Sequence, residues 1–495
     1  MTGPAARTWF LLALAASVAF RLWLGAAAPV TADEAYFILW GRAPQLGFYD
    51  HPPMIGWWLA PILALGDAPW ALRLPAVLAP ALAALAARAA LERWLGCDAT
   101  RANLAGLAVL LVPMNVWNVL ITTDTPLLLF SVASTLAFAR AAQRNSKGGF
   151  VVAGALLGLA FLSKYFAVLL GIAFLVYSLT EKDLKPFLLV FLGALPFGLV
   201  NLYWNYEACW CNVMFNAINR HGDAGLGWRT PLLYAAALAY LAAPLAWYAW
   251  RERSRLGWED PARRALLLAW LVPLAVFAAL SPVKRIGLHW LLSFLPALVL
   301  TVAVALDARR LGLVARFFGI LAVLHVLAIA VAAAMPLEAW RSSSLYARLV
   351  FPGRIAELLQ AAAPERAGRI LAADSYAAAA LLAYHTRGPV PVFGAGTSHA
   401  RQDDIATDWR ALEGRDLVIL RREAPAADEY RPYFRSIEVK RLALGAGSYH
   451  AVIGLGFDYA VYRARVLAQI RERYYRIPGW LPVGRCYFFE RYFAA

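Results

Sequence analysis

Residues 31–58 read TADEAYFILWGRAPQLGFYDHPPMIGWW. Two acidic clusters, Asp33-Glu34 and Asp50-His51, stand here directly after the first long apolar run of the chain. A charged group at the centre of a bilayer costs about 2.5 to 3.5 kcal/mol on insertion scales. So polar a stretch between apolar runs belongs outside the hydrocarbon. It reads as a large first loop on the membrane surface, with its acids placed to do chemistry.

Composition supplies the membrane. The chain has 495 residues, 61% hydrophobic and 16% charged, with a mean hydropathy of +0.57. That is too apolar for an ordinary soluble protein. The net charge of +16 does not indicate a nucleic-acid partner, because the cations fall in short turns between apolar runs instead of on one soluble face. They read as topology signals.

A helix needs about 20 apolar residues to cross about 30 Å of hydrocarbon. Runs near 9–28, 70–90, 102–122, 126–141, 150–162, 166–179, 186–204, 230–250, 265–280, 289–305 and 317–335 make about eleven transmembrane helices. A cleaved signal peptide is the alternative for the first run, although it is longer than a usual signal core. Arg21, toward the far end of that run, is expected to snorkel to the outer interface. The segment 54–65 suits a helix lying in the interface, and Ser163-Lys164-Tyr165 hinges a pair of shorter spans.

Every cation-rich turn lands on the side of the amino terminus, which the positive-inside rule makes cytoplasmic. The expected protein is a multi-pass one of a bacterial inner (plasma) membrane. Its transmembrane domain, 1–335, includes a first periplasmic loop, 29–69, and a periplasmic domain follows at 336–495. In that domain 369–373, 389–393 and 417–420 read as strands, and 376–384, 409–412 and 462–475 as helices. The fold class is thus an all-α polytopic membrane domain with a C-terminal α/β soluble domain of ordinary size, about 150 residues. Cys209, Cys211 and Cys486 all fall on the external side; a bridge from Cys486 to one of the other two and unpaired thiols both remain open.

The polar residues sort by side. External segments collect Asp33, Glu34, Asp50, His51, Asp124, Lys164, Arg220, His221, Lys284, Arg285 and His289, whereas the inner turns hold mainly repetitive Arg and Lys. Acids and bases of mixed kind on one face suit a reaction site. A transporter would instead place ionisable groups near the midplane at broken helices, and only Asn115 and Asn118 approach that position.

Asp-Glu-Ala-Tyr at 33–36, Tyr-Asp-His-Pro-Pro at 49–53 and Trp-Trp at 57–58 together resemble the membrane glycosyltransferases that take sugar from a polyprenyl phosphate. These include the protein O-mannosyltransferases and the lipid A aminoarabinose transferases, which share the GT-C fold. Thr-Asp-Thr-Pro at 123–126, Gly-Leu-Ala-Phe-Leu-Ser-Lys at 158–164, and a lysine followed by an aromatic-Pro helix at 284–296 extend the likeness over roughly residues 8–335.

The resemblance implies a donor in which sugar is joined to phosphate on a long isoprenoid. Such a donor needs a lipid groove, fixed cations for the departing phosphate, and a carboxylate near the anomeric carbon. Asp33, Glu34 and Asp50 are the implied catalytic acids, Asp33 foremost. It would serve as general base toward a hydroxyl acceptor, or orient an acceptor that is already anionic. His51, Lys164, Arg220, Lys284 and Arg285 are the phosphate-binding candidates, and Tyr49, Asp124 and His289 are further site candidates. His51 departs from the lysine of the aminoarabinose enzymes. It could still donate when protonated, or join Asp50 and His221 as ligands of a divalent metal ion, the one cofactor considered.

Structural readings stand beside these. Thr31 with Asp33 and Glu34 makes a good helix start, as does Thr-Asp-Thr-Pro, and interface cations can be simple anchors. The expected acceptor is lipid A or another envelope glycolipid, reached on the periplasmic face by one inverting displacement. A protein hydroxyl acceptor, a lipid-linked sugar flippase and a membrane scaffold are the rivals.

Overall fold

The computed structural model describes residues 3–221, 225–340, 352–444 and 447–493. The chain divides into two compact units. The first comprises Met1–Ala28, Leu65–Asn201 and Ala224–Ala332; the second comprises Pro29–Ala64, Leu202–Asp223 and Ala333–Ala495.

Seven helices among the described residues are long and apolar enough to cross a membrane: Gly3–Ala27, Pro69–Arg93, Asp124–Arg144, Lys185–Glu207, Arg229–Arg251, Pro261–Leu280 and Ala308–Ala334. Three expected spans are shorter, Lys147–Phe161, Ala167–Thr180 and Leu295–Ala305. At about 1.5 Å per residue these fall short of the hydrocarbon thickness on their own. The expected continuous span at 102–122 is corrected to a broken one: Ala99–Leu110, then the short helix Pro113–Trp117, then coil. Pro113 is the cause. It lacks an amide hydrogen and drives the preceding residue out of the helical region, and Val112 indeed sits at φ −51°, ψ 132°.

That break explains Arg21, which does not snorkel. It is 1% exposed, and its guanidinium donates to the carbonyls of Val77 at 3.1 Å, Asn118 at 2.7 Å, Ala76 and Asn115. Two sources of orphan carbonyls converge on it. Pro80 has no N–H to give Ala76 four residues back, and the chain around Asn115 and Asn118 has left the helical ladder. Arg73 does related work at the end of the first helix, donating to Gly25 O at 2.8 Å and Ala28 O at 2.7 Å. Those carbonyls have no partner within the helix they terminate. Elsewhere Gly154 and Gly193 let the Lys147–Phe161 and Lys185–Glu207 helices touch by backbone. A Cβ on either would meet a carbonyl oxygen of the other helix, at 2.0 and 2.1 Å.

The second unit holds a four-stranded sheet, β1 (Ile370–Ala373), β2 (Leu417–Arg421), β3 (Phe434–Leu444) and β4 (Gly447–Phe457), in the order β1-β2-β4-β3. β1 and β2 are parallel and the other pairings antiparallel. The strand expected at 389–393 is only a bridge, Ala373 to Val392. Its two prolines remove the donors that a ladder would use. The expected helices are present as Tyr376–Thr386, a 3-10 turn Trp409–Leu412, and a π-turn Arg463–Leu467 running into Ala468–Tyr474. Cys209 bonds to Cys486, 277 residues later, and Cys211 stays a buried free thiol. An aromatic core ties segments from across the sequence, among them Tyr49, Trp204, Phe215, Phe393, Tyr462 and Phe488.

Replacing Arg21 with leucine is expected to leave these carbonyls buried without donors, at about 1 to 3 kcal/mol for each group stranded. Thermal unfolding of the detergent-purified variant should show a large drop in midpoint. A wild-type midpoint would mean that water or rearrangement satisfies them.

Candidate functional site

The residues singled out in the sequence fall into two groups. Asp124, Lys164, Lys284, Arg285 and His289 belong to the first unit; Asp33, Glu34, Tyr49, Asp50, His51, Arg220 and His221 belong to the second.

In the first unit the chain turns between the helices ending at Phe161 and starting at Ala167, and Lys164 occupies the turn. Its ammonium donates to both oxygens of Asp124, at 2.8 and 2.9 Å, with the two side chains 10% and 6% exposed. Asp124 is the first residue of its helix, and Thr123 makes no side-chain cap. The carboxylate is therefore committed to Lys164 as well as to the favourable end of the helix dipole. His289 Nε2 lies 3.9 Å from Asp124 Oδ2. Tyr165 and Asn201 exchange hydrogen bonds beside the lysine turn, at 3.1 and 2.9 Å. Lys284 is half-buried and Arg285 exposed in the segment after Pro261–Leu280. An apolar groove of about 360 Å³ flanks the same turn, walled by Gly158, Phe161, Ala167, Gly171, Phe191 and Leu195 among others.

In the second unit the helix Ala32–Arg42 starts with a full capping box. The Thr31 hydroxyl accepts from Glu34 N, and the Glu34 carboxylate accepts from Thr31 N at 3.0 Å. Glu34 is buried in this cap, whereas Asp33, one residue earlier on the helix, is exposed. Tyr376 donates its hydroxyl to Asp33 Oδ1 at 3.1 Å. Three residues along the same helix, Tyr36 donates to Asp50 Oδ1 at 3.0 Å and accepts from Gln402 N at 3.2 Å. The two tyrosine rings meet edge to face, 5.8 Å apart.

Asp50 is 7% exposed. Burial pushes its carboxyl up to about 7, against the hydrogen bond from Tyr36, which favours the ionised form. Asp33 adds repulsion and Arg220 attraction. Burial and the neighbouring carboxylates raise both Tyr36 and Tyr376, so both phenols stay protonated donors. Arg220 donates to Asn216 Oδ1 at 3.4 Å and lies over the Phe215 ring, and Asn216 in turn donates to Asp50 O at 3.2 Å. His51 is half-exposed near Phe37 and Trp40. Tyr49 is a core side chain, 0% exposed. His221 ends a 3-10 turn, but its side chain lies outside the described residues, and with it the expected pairing with Asp50 on a metal. No three His, Cys, Asp or Glu among the described residues are arranged to hold an ion.

Tyr36, Tyr376, Asn216 and Gln402 were not read as site residues in the sequence. Tyr36 could have been, since it stands three positions after Asp33 and so on the same helix face. Tyr376 is 343 residues from Asp33, and no local pattern announces that pairing.

A family model described as dolichyl-phosphate-mannose-protein mannosyltransferase matches residues 50–204, a range that opens on Asp50 and takes in Asp124 and Lys164. The lipid A galacturonosyltransferase RgtD of Rhizobium johnstonii is 27% identical over 274 residues, 52% of this chain and 56% of that protein. The match thus spans little more than half the length of that relative. Solved structures of ArnT from Cupriavidus metallidurans, in the apo state and bound to undecaprenyl phosphate, align with TM-scores of 0.64 and 0.62. Both are 16% identical and cover 90% of this chain and 98% of that one. At such identity the likeness establishes the fold. The protein is a multi-pass membrane protein of the GT-C class. The Asp-Glu-Ala-Tyr and Asp-His-Pro-Pro motifs, the family match and RgtD together make the chain similar to the polyprenyl-phosphate-sugar glycosyltransferases.

Removing one partner of the buried Asp124–Lys164 pair should cost about 3 to 5 kcal/mol, because the other charge is left uncompensated. Asp124→Leu and Lys164→Met are each expected to lower the unfolding midpoint, and the double variant to recover most of the loss. Additive losses in this double-mutant cycle would mean that the two groups do not depend on one another.

Proposed function

We propose that the protein is a glycosyltransferase that moves a sugar from a polyprenyl phosphate to lipid A at the periplasmic face of a bacterial inner membrane. The observation that carries this reading is the carboxylate–phenol cluster of Asp33, Tyr376, Asp50 and Tyr36, with Arg220 close enough to act on Asp50. The polyprenyl donor draws support from ArnT, solved with undecaprenyl phosphate, and the acceptor from RgtD, named for lipid A.

In the proposed reaction the acceptor oxygen attacks the anomeric carbon as the bond from that carbon to the phosphate oxygen breaks. One displacement inverts the centre. The acceptor hydroxyl proton passes to Asp33, the exposed carboxylate of the cluster, and polyprenyl phosphate departs with the bonding electrons. Asp50 and Arg220 set the field around that base. Taken by itself, the first unit offers Lys164, oriented by Asp124, as its phosphate-binding candidate, with Lys284, Arg285 and His289 as supporting cations and the apolar groove for isoprenoid. Fixed positive groups aimed at charge that develops as a bond breaks are an efficient form of transition-state stabilisation. With cations supplied by the chain itself, transfer is expected to survive exhaustive chelation.

Asp33→Asn should abolish transfer from a polyprenyl-phosphate sugar to lipid A without lowering the unfolding midpoint; near-normal turnover would remove the assigned base. Lys164→Ala should raise the KM for donor at least tenfold, and an unchanged donor response would reject the phosphate role. Asp50 carries a proton below pH 7 and is ionised above it. If its charge is needed, kcat/KM rises with pH through about 7, and Asp50→Asn lacks this limb.

The matched family's description names a protein acceptor, which makes O-glycosylation of protein the second reading. Parallel assays with lipid A and with serine- and threonine-rich peptides separate the two.

A further inference from the structure

The second unit contains a cavity of about 140 Å³, bordered by Ser375, Tyr376, Thr397, Asp403, Trp409 and Tyr462 among others. That is roughly ten times the space a single buried water requires, enough for one sugar ring. The reaction proposed above does not use it.

One wall is a loop held by an unusual expenditure of buried charge. Gly394, Gly396 and Ala400 take positive φ of 104°, 58° and 54°, so the backbone doubles back on itself in a conformation that side chains resist. Arg401 fixes this shape from behind. Its guanidinium donates to the carbonyls of Ala395 at 2.6 Å and Thr397 at 3.0 Å, and to both oxygens of Asp404 at 2.7 and 2.9 Å. It also stacks 4.3 Å from the centre of the Tyr474 ring, and Tyr475 adds a hydroxyl bond to Asp404 at 2.9 Å. With Arg401 and Asp404 both buried, the network keeps the loop off the floor of the cavity.

The lining selects the ligand. Asp374 and Asp403 border it with carboxylates and Ser375, Thr397 and Tyr376 with hydroxyls, while Trp409 and Tyr462 belong to the aromatic core that backs it. Arg401, the one arginine in the lining, is spent on Asp404, and Asp374 lies 3.7 Å from Arg421. A lining of carboxylates and hydroxyls whose arginine is already paired suits the hydroxyl groups of a pyranose carrying no negative charge. Tyr376 is shared, since the hydroxyl at the edge of the cavity donates to Asp33.

We propose that this cavity is an acceptor subsite, holding one sugar ring of the acceptor glycan so that an adjoining hydroxyl is presented to Asp33. The proposal rests on the glycosyltransferase reading and adds to it a place and a chemistry for acceptor recognition.

The test fills the cavity from its exposed rim in the full-length protein in lipid nanodiscs. Thr397→Trp should raise the KM for lipid A at least tenfold, with kcat within twofold and undecaprenyl phosphate binding unchanged. Thr397→Cys, purified folded and then labelled with a bulky maleimide, repeats the experiment on one preparation before and after blocking. The other free thiols, Cys97 and Cys211, are buried. A lipid A KM unchanged by Thr397→Trp and by labelling of Thr397→Cys, where the wild type transfers sugar, overturns the subsite and leaves the enzyme reading standing. A wild type that neither binds undecaprenyl phosphate nor transfers sugar overturns the enzyme reading itself. Transfer to peptide alone, with none to lipid A, also overturns the subsite, because no acceptor sugar is then present to occupy it.

Discussion

The buried guanidinium of Arg21 is the constraint from which the membrane unit can be understood. Pro80 removes one hydrogen bond from a continuous helix and Pro113 breaks another, and each change frees carbonyl oxygens where no water is available to take them. One planar group with five donors collects them, joining the first helix to Ala76, Val77, Asn115 and Asn118. The knot bears on the candidate site. The broken segment runs through coil to Thr123, and Asp124 begins the helix that presents its carboxylate to Lys164. A continuous helix through residue 113 would deliver the chain to residue 124 at a different height and angle.

Much of this was legible in the residues and some was not. Apolar runs located the spans because a bilayer leaves little choice, and the surplus of acids after the first run marked the loop that is proposed to carry chemistry. Arg21 misled because snorkelling is the usual fate of a cation near a helix end. Pro80 and Pro113 were visible, but that their freed carbonyls would meet around one side chain depends on packing. Ser436-Ile437-Glu438-Val439-Lys440 in β3 does alternate as a half-buried strand should, but Arg441 breaks the pattern after five residues, so the β3 and β4 hairpin is weakly marked in the sequence. Tyr376 could not be placed beside Asp33 from sequence, because only the tertiary fold brings them together. The Cys209 pairing was left open for the same reason.

Asp33 and Asp50 show how different the surroundings of two identical groups in one unit can be. Asp33 is exposed and braced by one phenol, while Asp50, fourteen residues from its phenol Tyr36, is buried enough that its carboxyl titrates near neutrality. Tyr36 and Asp33 share a helix anchored by the Thr31 and Glu34 cap. A residue that looks catalytic in the sequence thus serves in the structure to hold its neighbours in register.

The bond between Cys209 and Cys486 has a consequence for how the molecule is made. Between the two cysteines lie the helices Arg229–Arg251, Pro261–Leu280 and Ala308–Ala334, all of which must leave the ribosome and enter the lipid before the thiols can meet. Bond formation also requires an oxidising compartment, which the cytosol is not. The covalent closure of the second unit is therefore a late event in biogenesis, since it waits for the synthesis of every segment between residues 209 and 486.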